Sequence, residues 1–285
     1  MPPPLPELPG VEHRFETANG IRIHYAEAGE GDPLVLLHGW PQHWWMWRDF
    51  IGPLAERFRV IVPDLRGHGW SDKPRSSYRK TEFLDDVVAL LDRLGLERVR
   101  FVGHDWGGWT GMLAGLREPD RIERLVVMSI PHPWRRRPHP QLLLAGTYQL
   151  VVGGPLGKVA MQRLGFARTI LKAGRAIGSF SAEELDMYDA VQREPDAAEA
   201  TVRIYRSFLL HEAAPWASGN FKAARLTVPT LWLVGEKDPL ASVSDGGYRD
   251  YADDMTLEFV PDGGHFMPEE LPLKLRERVL DFLTA

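Results

Sequence analysis

The stretch FVGHDWGG, at residues 101–108, organises the whole chain. The largely apolar residues 99–102 before it predict a buried strand, and the glycines that follow open a helix that runs to about Leu116. A strand, a sharp turn and a helix are the parts of a nucleophile elbow, whose central residue is held in a strained conformation at the top of a sheet. Gly103 and Gly107 leave room for that turn because neither carries a side chain. The central residue is Asp105.

Asp105 stands where hydrolases with this elbow usually carry a serine. A carboxylate that attacks a carbonyl would form a mixed anhydride, which is a poor intermediate for ester or amide hydrolysis. A carboxylate that attacks a saturated carbon forms an alkyl ester, which water can cleave at the aspartate's own carbonyl. Asp105 therefore predicts displacement at a saturated carbon, with an epoxide oxygen or a halide as the leaving group. The alternative is a structural aspartate that caps the following helix.

The composition is that of an ordinary globular enzyme. The 285 residues are 44% hydrophobic and 26% charged, which suits one large domain or a core with an insertion. A net charge of −5 offers no basic surface for nucleic acid, and the chain has no cysteine for disulfides, thiolate chemistry or a cysteine-bound metal. The N-terminal MPPPLP lacks the regions of a signal peptide, and no apolar run approaches the roughly 20 residues of a membrane span. We therefore expect a cytoplasmic protein that binds neither nucleic acid nor membrane.

Strands and helices alternate along most of the chain. Residues 13–17 and 21–26 predict a hairpin around an Asn19-Gly20 turn. Further strands are predicted over 33–38, 59–63, 125–130, 228–234 and 256–260, and helices over 81–94 and 268–283. Such alternation favours an α/β protein with a doubly wound, mostly parallel sheet.

The alternation breaks at the proline-rich segment 131–140 and returns only after residue 217. Between them the patterns are helical, and 182–192 and 196–211 are the clearest. We therefore predict a core in two parts, 1–130 and 218–285, with an inserted helical cap at 131–217. The arginine run 135–137 at the cap entrance could contact an anionic partner, but three charges are few for such a patch and a solvated hinge is favoured.

Two further residues complete a catalytic constellation. Asp238 follows a predicted strand at its carboxyl end, where open α/β sheets place their sites. His265 lies in a glycine-rich loop after the next strand. The order nucleophile, acid, histidine is that of α/β-hydrolases, so His265 would activate water and Asp238 would orient the imidazole. Each could instead be an ordinary turn or loop residue.

The oxyanion hole is expected from two backbone N–H groups, those of Trp40 and Trp106. Trp40 belongs to the motif HGWP at 38–41, and four tryptophans crowd this stretch. We expect Trp40, Pro41 and Trp106 to border the substrate pocket, whereas Trp44, Trp45 and Trp47 mostly pack the interior.

With these motifs the chain, after its N-terminal arm, resembles an epoxide hydrolase of the α/β-hydrolase fold. The core motifs are also similar to those of haloalkane dehalogenases, so the cap must separate the two. Epoxide hydrolases of this type carry two cap tyrosines that donate hydrogen bonds to the epoxide oxygen. The surroundings of Tyr148 and Tyr205 resemble those two positions, whereas Tyr188 lies in an acidic helix without such a match.

The resemblance implies hydrolysis of a small apolar or aromatic epoxide to a diol, with no metal and no organic cofactor. A dehalogenase would hold halide with Trp106 and an asparagine or cap tryptophan, but position 40 is tryptophan and the chain would have to recruit Trp134. Fluoroacetate-type dehalogenases would want an arginine at position 106. A binding protein with a dead site is a third alternative, which the intact set of site residues disfavours.

Overall fold

An eight-stranded sheet forms the centre of the molecule. The computed structural model of the chain describes residues 3–134, 146–178, 180–217, 221, 223–244 and 246–285. The strands follow the spatial order β1-β2-β4-β3-β5-β6-β7-β8. The first two pair antiparallel, as do β2 and β4, and all the other pairs are parallel. Their bounds are β1 Glu12–Ala18, β2 Ile21–Ala28, β3 Asp32–Leu37, β4 Phe58–Pro63, β5 Val99–His104, β6 Ile122–Met128, β7 Thr230–Gly235 and β8 Met255–Val260.

Helices cover both faces of this sheet. The flanking helices of the sheet are α1 Arg48–Ala55, α2 Lys80–Arg93 and α3 Trp106–Arg117. Because successive side chains of a strand point to opposite faces, Val35 and Leu37 of β3 enter one hydrophobic cluster with α2 and α3. Leu34 and Leu36 enter the other cluster, on the side of α1. The doubly wound α/β-hydrolase architecture predicted from the sequence is therefore confirmed.

The secondary structure described between β6 and β7 consists of helices. The helices are α4 Thr147–Gly153, α5 Gly157–Leu164, α6 Phe166–Gly174, α7 Ala182–Arg193, α8 Pro195–Ser207 and α9 Ala213–Ala217, which we call the cap helices. A π-helical segment, Phe208–Glu212, joins α8 to α9, so the helix predicted over 196–211 changes its winding near its end. The division into core and cap stays a prediction, and the arginine run 135–137 lies outside the described residues.

The last predicted helix, 268–283, is two helices in the structure. These are α10 Met267–Glu270 and α11 Pro272–Thr284, separated at Leu271 by a non-helical backbone (φ −134°, ψ 49°). Pro272 has no N–H to donate to the preceding turn and disfavours a helical conformation at Leu271, which accounts for the break there. No helix among the described residues is both long and apolar enough to cross a membrane.

Candidate active site

The elbow holds Asp105 in a strained backbone conformation. Its φ is +51° and its ψ is −121°, values that non-glycine residues rarely adopt. The strand–helix turn is closed by tight backbone contacts, since a Cβ added at Gly103 would overlap the carbonyl of Gly107. The Asp105 N–H donates to the Met128 carbonyl of β6 at 3.1 Å. The carboxylate is thus presented at the carboxyl edge of the sheet, as the motif predicts.

The two oxygens of the Asp105 carboxylate have different surroundings. Oδ1 accepts the backbone N–H of Trp40 at 2.8 Å. Oδ2 lies 3.7 Å from His265 Nε2. Burial works to raise the pKa of Asp105, but the nearby imidazole of His265, assisted by the Trp106 backbone N–H, holds that pKa below its usual range. The carboxylate is therefore ionised at neutral pH.

His265 is oriented by Asp238. The Nδ1–H of the imidazole donates to Asp238 Oδ2 at 3.0 Å, which leaves Nε2 to face Asp105. Asp238 in turn accepts the Leu240 N–H on its other oxygen at 2.9 Å. Burial opposes protonation of His265, but Asp238 and Asp105 outweigh it and raise the pKa of His265 to about 10. In the free protein the imidazole is thus a cation between two carboxylates.

A cavity of about 290 Å³ lies against these residues. Asp105, Asp238 and His265 all reach its wall, and the rest of the wall is mostly aromatic and aliphatic. Residues from the sheet loops and from the cap helices share the wall. The Asp105 carboxylate therefore faces a mostly apolar pocket, as polar groups in small-molecule sites usually do. The lining also includes Trp40, Trp106, Trp109, Ile130, Tyr148, Ile170 and Phe208.

The two cap tyrosines meet at their hydroxyls. Tyr148 Oη and Tyr205 Oη are 3.3 Å apart. The Tyr148 ring stacks on Trp40 at a centroid distance of 5.9 Å, and the Tyr205 ring meets the edge of Trp40 at 5.1 Å. Burial raises the pKa of both phenols well above the ordinary value, so both stay protonated. Tyr148 lines the cavity, whereas Tyr205 is fully buried behind that wall.

Pro41 does not line this cavity, and its predicted place in the substrate pocket stays a prediction. Its carbonyl accepts a hydrogen bond from the Gln192 side chain of α7 at 3.1 Å. That contact places Pro41 at the junction between the HGWP loop and the cap helices. Only Trp40 of the four clustered tryptophans borders the cavity, and Trp44 and Trp47 are completely buried, as expected.

The comparison with known proteins agrees with this architecture. A sequence profile of the α/β-hydrolase fold family matches residues 32–272. The chain belongs to the α/β-hydrolase family. A soluble epoxide hydrolase of Corynebacterium sp. strain C12 is 33% identical over 289 aligned residues, which cover 96% of this chain and 98% of the relative. Human epoxide hydrolase 4 is 29% identical, with 93% of this chain and 76% of that protein covered.

Solved structures of hydrolases in this family superpose on nearly the whole chain. The epoxide hydrolase CorEH without ligand matches with a TM-score of 0.85 at 30% identity, covering 96% of this chain and 99% of that one. Epoxide hydrolase A from Mycobacterium thermoresistibile matches with a TM-score of 0.80 at 27% identity, covering 96% and 98%. The resemblance read from the motifs is confirmed, and these relatives support epoxide hydrolysis as the general activity.

Several residues of this hydrolase site were not predicted. Ser129, at the carboxyl end of β6, lines the cavity with a φ of +53°, and its hydroxyl donates to the His265 carbonyl at 3.0 Å. His104 Nε2–H donates to the same carbonyl at 2.7 Å, and burial lowers the pKa of His104 to about 4, so its ring is neutral. Glu270 accepts the N–H of Gly264 at 3.1 Å. The sequence offered one signal for these residues. His104 and Ser129 lie at the carboxyl ends of strands, and Glu270 closely follows the loop that carries His265.

Trp134 is the tryptophan that the dehalogenase alternative would recruit to hold a halide. It does not line the cavity, and its indole N–H donates to the Ala224 carbonyl at 2.8 Å. The indole N–H groups of Trp40 and Trp106 are buried and have no acceptor within hydrogen-bonding geometry among the described residues. No group of three or more potential metal-ligating side chains occurs in the described part of the chain.

Proposed function

We propose that this hydrolase opens an epoxide through an ester with Asp105 and then hydrolyses that ester to a vicinal diol. The observation that carries the proposal is the placement of two protonated phenols, Tyr148 and Tyr205, within 3.3 Å of each other, beside a cavity that also contains an ionised carboxylate and its histidine. Opening of an epoxide needs both a nucleophile and a proton donor, since its leaving oxygen is an alkoxide that must be stabilised and protonated.

In the first step Asp105 Oδ2 attacks one ring carbon. The C–O bond of the epoxide breaks, and its electron pair stays on the oxygen, which takes a proton from the tyrosine pair and becomes a hydroxyl. Oδ1 becomes the carbonyl oxygen of the ester and remains at the Trp40 N–H, which it already accepts at 2.8 Å. The products of this step are a neutral β-hydroxyalkyl ester and a phenol pair that has lost one proton.

Formation of the ester changes the charge beside His265. The ester removes one of the two carboxylates that raise its pKa, so the imidazolium becomes more acidic and its proton can restore the phenol. Neutral His265, oriented by Asp238, then takes a proton from water as the water attacks the ester carbonyl. The negative charge that develops on Oδ1 is stabilised by the backbone N–H groups of Trp40 and Trp106. The intermediate then collapses: the bond between the Asp105 carbonyl carbon and Oδ2 breaks, Oδ2 takes a proton from His265 and leaves as a hydroxyl of the diol, and the new Asp105 carboxyl returns its proton to His265.

The experiment that tests this function uses His265→Gln. Ring opening should survive in this variant while ester hydrolysis stalls, because only the second step needs the base. Incubation with an aryl epoxide should therefore increase the intact protein mass by the full mass of the epoxide, and peptide mapping should place the adduct on Asp105. Absence of any adduct under conditions where the parent forms diol would contradict the covalent route.

A haloalkane dehalogenase is the second candidate, and one observation favours it. The buried indole N–H groups of Trp40 and Trp106, without acceptors among the described residues, could hold a halide. The same His265→Gln variant separates the two, because a haloalkane would leave an adduct lighter than the reagent by the lost halogen. The phenol pair favours the epoxide, since halide is a weak base that needs no proton.

A further inference from the structure

Gln192 is a buried amide near the end of cap helix α7, and the proposed chemistry does not use it. Its side-chain N–H donates to the Pro41 carbonyl at 3.1 Å, and its side-chain oxygen accepts the buried Thr201 hydroxyl of α8 at 2.9 Å. A carbonyl can only accept and a hydroxyl can donate, so the two neighbours fix which end of the amide faces each of them. Gln192 therefore connects two cap helices to the loop that carries Trp40.

The hydrogen bond at Pro41 continues through two peptide units of this loop. The Pro41 carbonyl belongs to the same peptide unit as the Gln42 N–H, which donates to the Gly39 carbonyl at 3.0 Å. The Gly39 carbonyl in turn belongs to the same peptide unit as the Trp40 N–H, which donates to Asp105 Oδ1 at 2.8 Å. Four donors therefore point in one direction, from the cap hydroxyl to the carboxylate of the nucleophile.

Each link of this hydrogen-bond chain acts on the next one. An amide whose carbonyl accepts a hydrogen bond becomes a stronger donor at its N–H, because the two groups are conjugated within one planar unit. Each bond also limits the rotation of its peptide unit. The Gly39 carbonyl accepts a second bond, from His38 Nδ1–H at 2.9 Å, which acts in the same direction. The chain thus ends on the Trp40 N–H, one of the two proposed oxyanion donors.

We propose that Gln192 and Thr201 are positioning residues for ester hydrolysis. They hold the Trp40 N–H at Asp105 Oδ1 and strengthen it as a donor. The inference rests on the proposed function, because Oδ1 must become an oxyanion in the second step. Ring opening removes negative charge from Asp105, so a stronger donor there does not favour the first transition state. Hydrolysis returns negative charge to Oδ1, so the same donor favours the second transition state over the ester.

The first test compares the two steps in Gln192→Met. Methionine is similar in length and volume to glutamine but cannot donate to Pro41, so it interrupts the chain. The Trp40 N–H is then weakened but not removed, and we expect hydrolysis to slow by about tenfold, less than the roughly 10²–10³-fold of a lost oxyanion donor. Alkylation of Asp105 should stay within about threefold of the parent. Rapid-quench mass spectrometry under single-turnover conditions measures the formation and the decay of the ester.

Steady-state kinetics measure the same difference between the two steps. When hydrolysis limits turnover, slowing it lowers kcat and KM together and leaves kcat/KM unchanged, because kcat/KM depends only on the steps up to irreversible formation of the ester. A change that merely loosened the site would lower kcat/KM instead. We therefore expect the ester to accumulate in Gln192→Met during turnover, and the intact protein mass shows it.

Thr201 offers a matched pair of variants that leave Gln192 in place. Thr201→Val keeps the shape of the side chain and removes the hydroxyl, whereas Thr201→Ser keeps the hydroxyl. The valine variant should hydrolyse the ester about threefold more slowly, because it loses one neutral hydrogen bond while the later links of the chain remain. The serine variant should match the parent, and neither change should alter alkylation.

Three results would overturn the inference. One is equal slowing of alkylation and hydrolysis in Gln192→Met, and another is hydrolysis at the parent's rate in that variant. The third is equal hydrolysis in Thr201→Val and Thr201→Ser, a result that holds even if Gln192→Met fails to fold. A parent that forms no ester with any epoxide would contradict the proposed function and the inference with it. A parent that forms the ester while all three variants hydrolyse it normally would contradict the inference alone.

Discussion

The two halves of this site are built in different ways. On the core side, Asp105 and Asp238 stand in loops directly after parallel strands, and backbone groups hold them, such as the N–H groups of Trp40 and Leu240. On the cap side, Tyr148 and Tyr205 are held by ring packing against Trp40 and by each other's hydroxyl. Backbone N–H groups thus hold the two carboxylates, and one of these carboxylates orients His265, whereas ring packing holds the two phenols. In the proposed reaction the core half supplies the nucleophile and the base, and the cap half supplies the donors to the leaving oxygen.

The largest effect is expected at Asp105. Asp105→Ala should remove at least about 10⁴-fold of the activity, as loss of a nucleophile does in other covalent enzymes. A single turnover of the parent in oxygen-18 water should place the label in the Asp105 carboxylate, and the first diol should carry the unlabelled enzyme oxygen. Mass spectrometry of the peptide and of the diol measures both. Label found directly in the first diol would mean that water attacks the epoxide itself.

The cap half should contribute less. Tyr148→Phe and Tyr205→Phe each remove one donor and almost no volume, so each should slow ring opening by roughly 10²–10³-fold, as loss of an oxyanion donor does. The double variant should lose nearly all activity without simple addition, because the two hydroxyls share one oxygen. Single-turnover alkylation of Asp105 is the measurement. If both single variants alkylate at the parent's rate, the tyrosines only pack and the cap does not select an epoxide.

The sequence predicted the core half far better than the cap half. Asp105, Asp238 and His265 each follow a strand in a short turn, and the structure brings all three to one cavity. A local pattern suffices for such residues because parallel strands end at the same edge of the sheet. Tyr148 and Tyr205 came from resemblance, and no local pattern showed that one lines the cavity while the other is buried behind it.

Contacts between the core and the cap helices could not be predicted. Lys80 looks like an ordinary residue at a helix start, and only the folded chain brings Glu212, 132 positions later, to its ammonium. The contact of Pro41 with Gln192 of α7 could not be predicted for the same reason, because it depends on how the cap helices pack. Patterns along the chain report local geometry, whereas these contacts depend on tertiary packing.

The pH dependence of the free energy of unfolding should change in a variant of the core half and stay unchanged in a variant of the cap half. The folded pKa of His265 is raised to about 10 from an ordinary value of about 6.5. Its charge therefore stabilises the fold fully below pH 6.5, and that stabilisation is lost as pH rises through 10. Relative to His265→Gln, the parent's free energy of unfolding should fall by on the order of 4 kcal/mol between pH 6 and 10. Urea unfolding at both pH values measures this fall. Tyr148→Phe should track the parent, because the folded parent keeps its Tyr148 hydroxyl protonated throughout this range.

The smallest effect is expected at Ser129, which tests how firmly the backbone holds the core half. Its hydroxyl donates to the His265 carbonyl at 3.0 Å, and His104 donates to the same carbonyl at 2.7 Å. Because one donor remains, Ser129→Ala should lower the rate of ester hydrolysis only about threefold to tenfold, the cost of one neutral hydrogen bond. Alkylation of Asp105 should be unchanged, since that step does not need the base. Rapid-quench measurement of both steps decides. A loss as large as that of His265→Gln would mean that the position of the loop carrying His265 depends on one side chain. The contrast between a core half held by backbone groups and a cap half held by ring packing would then be wrong.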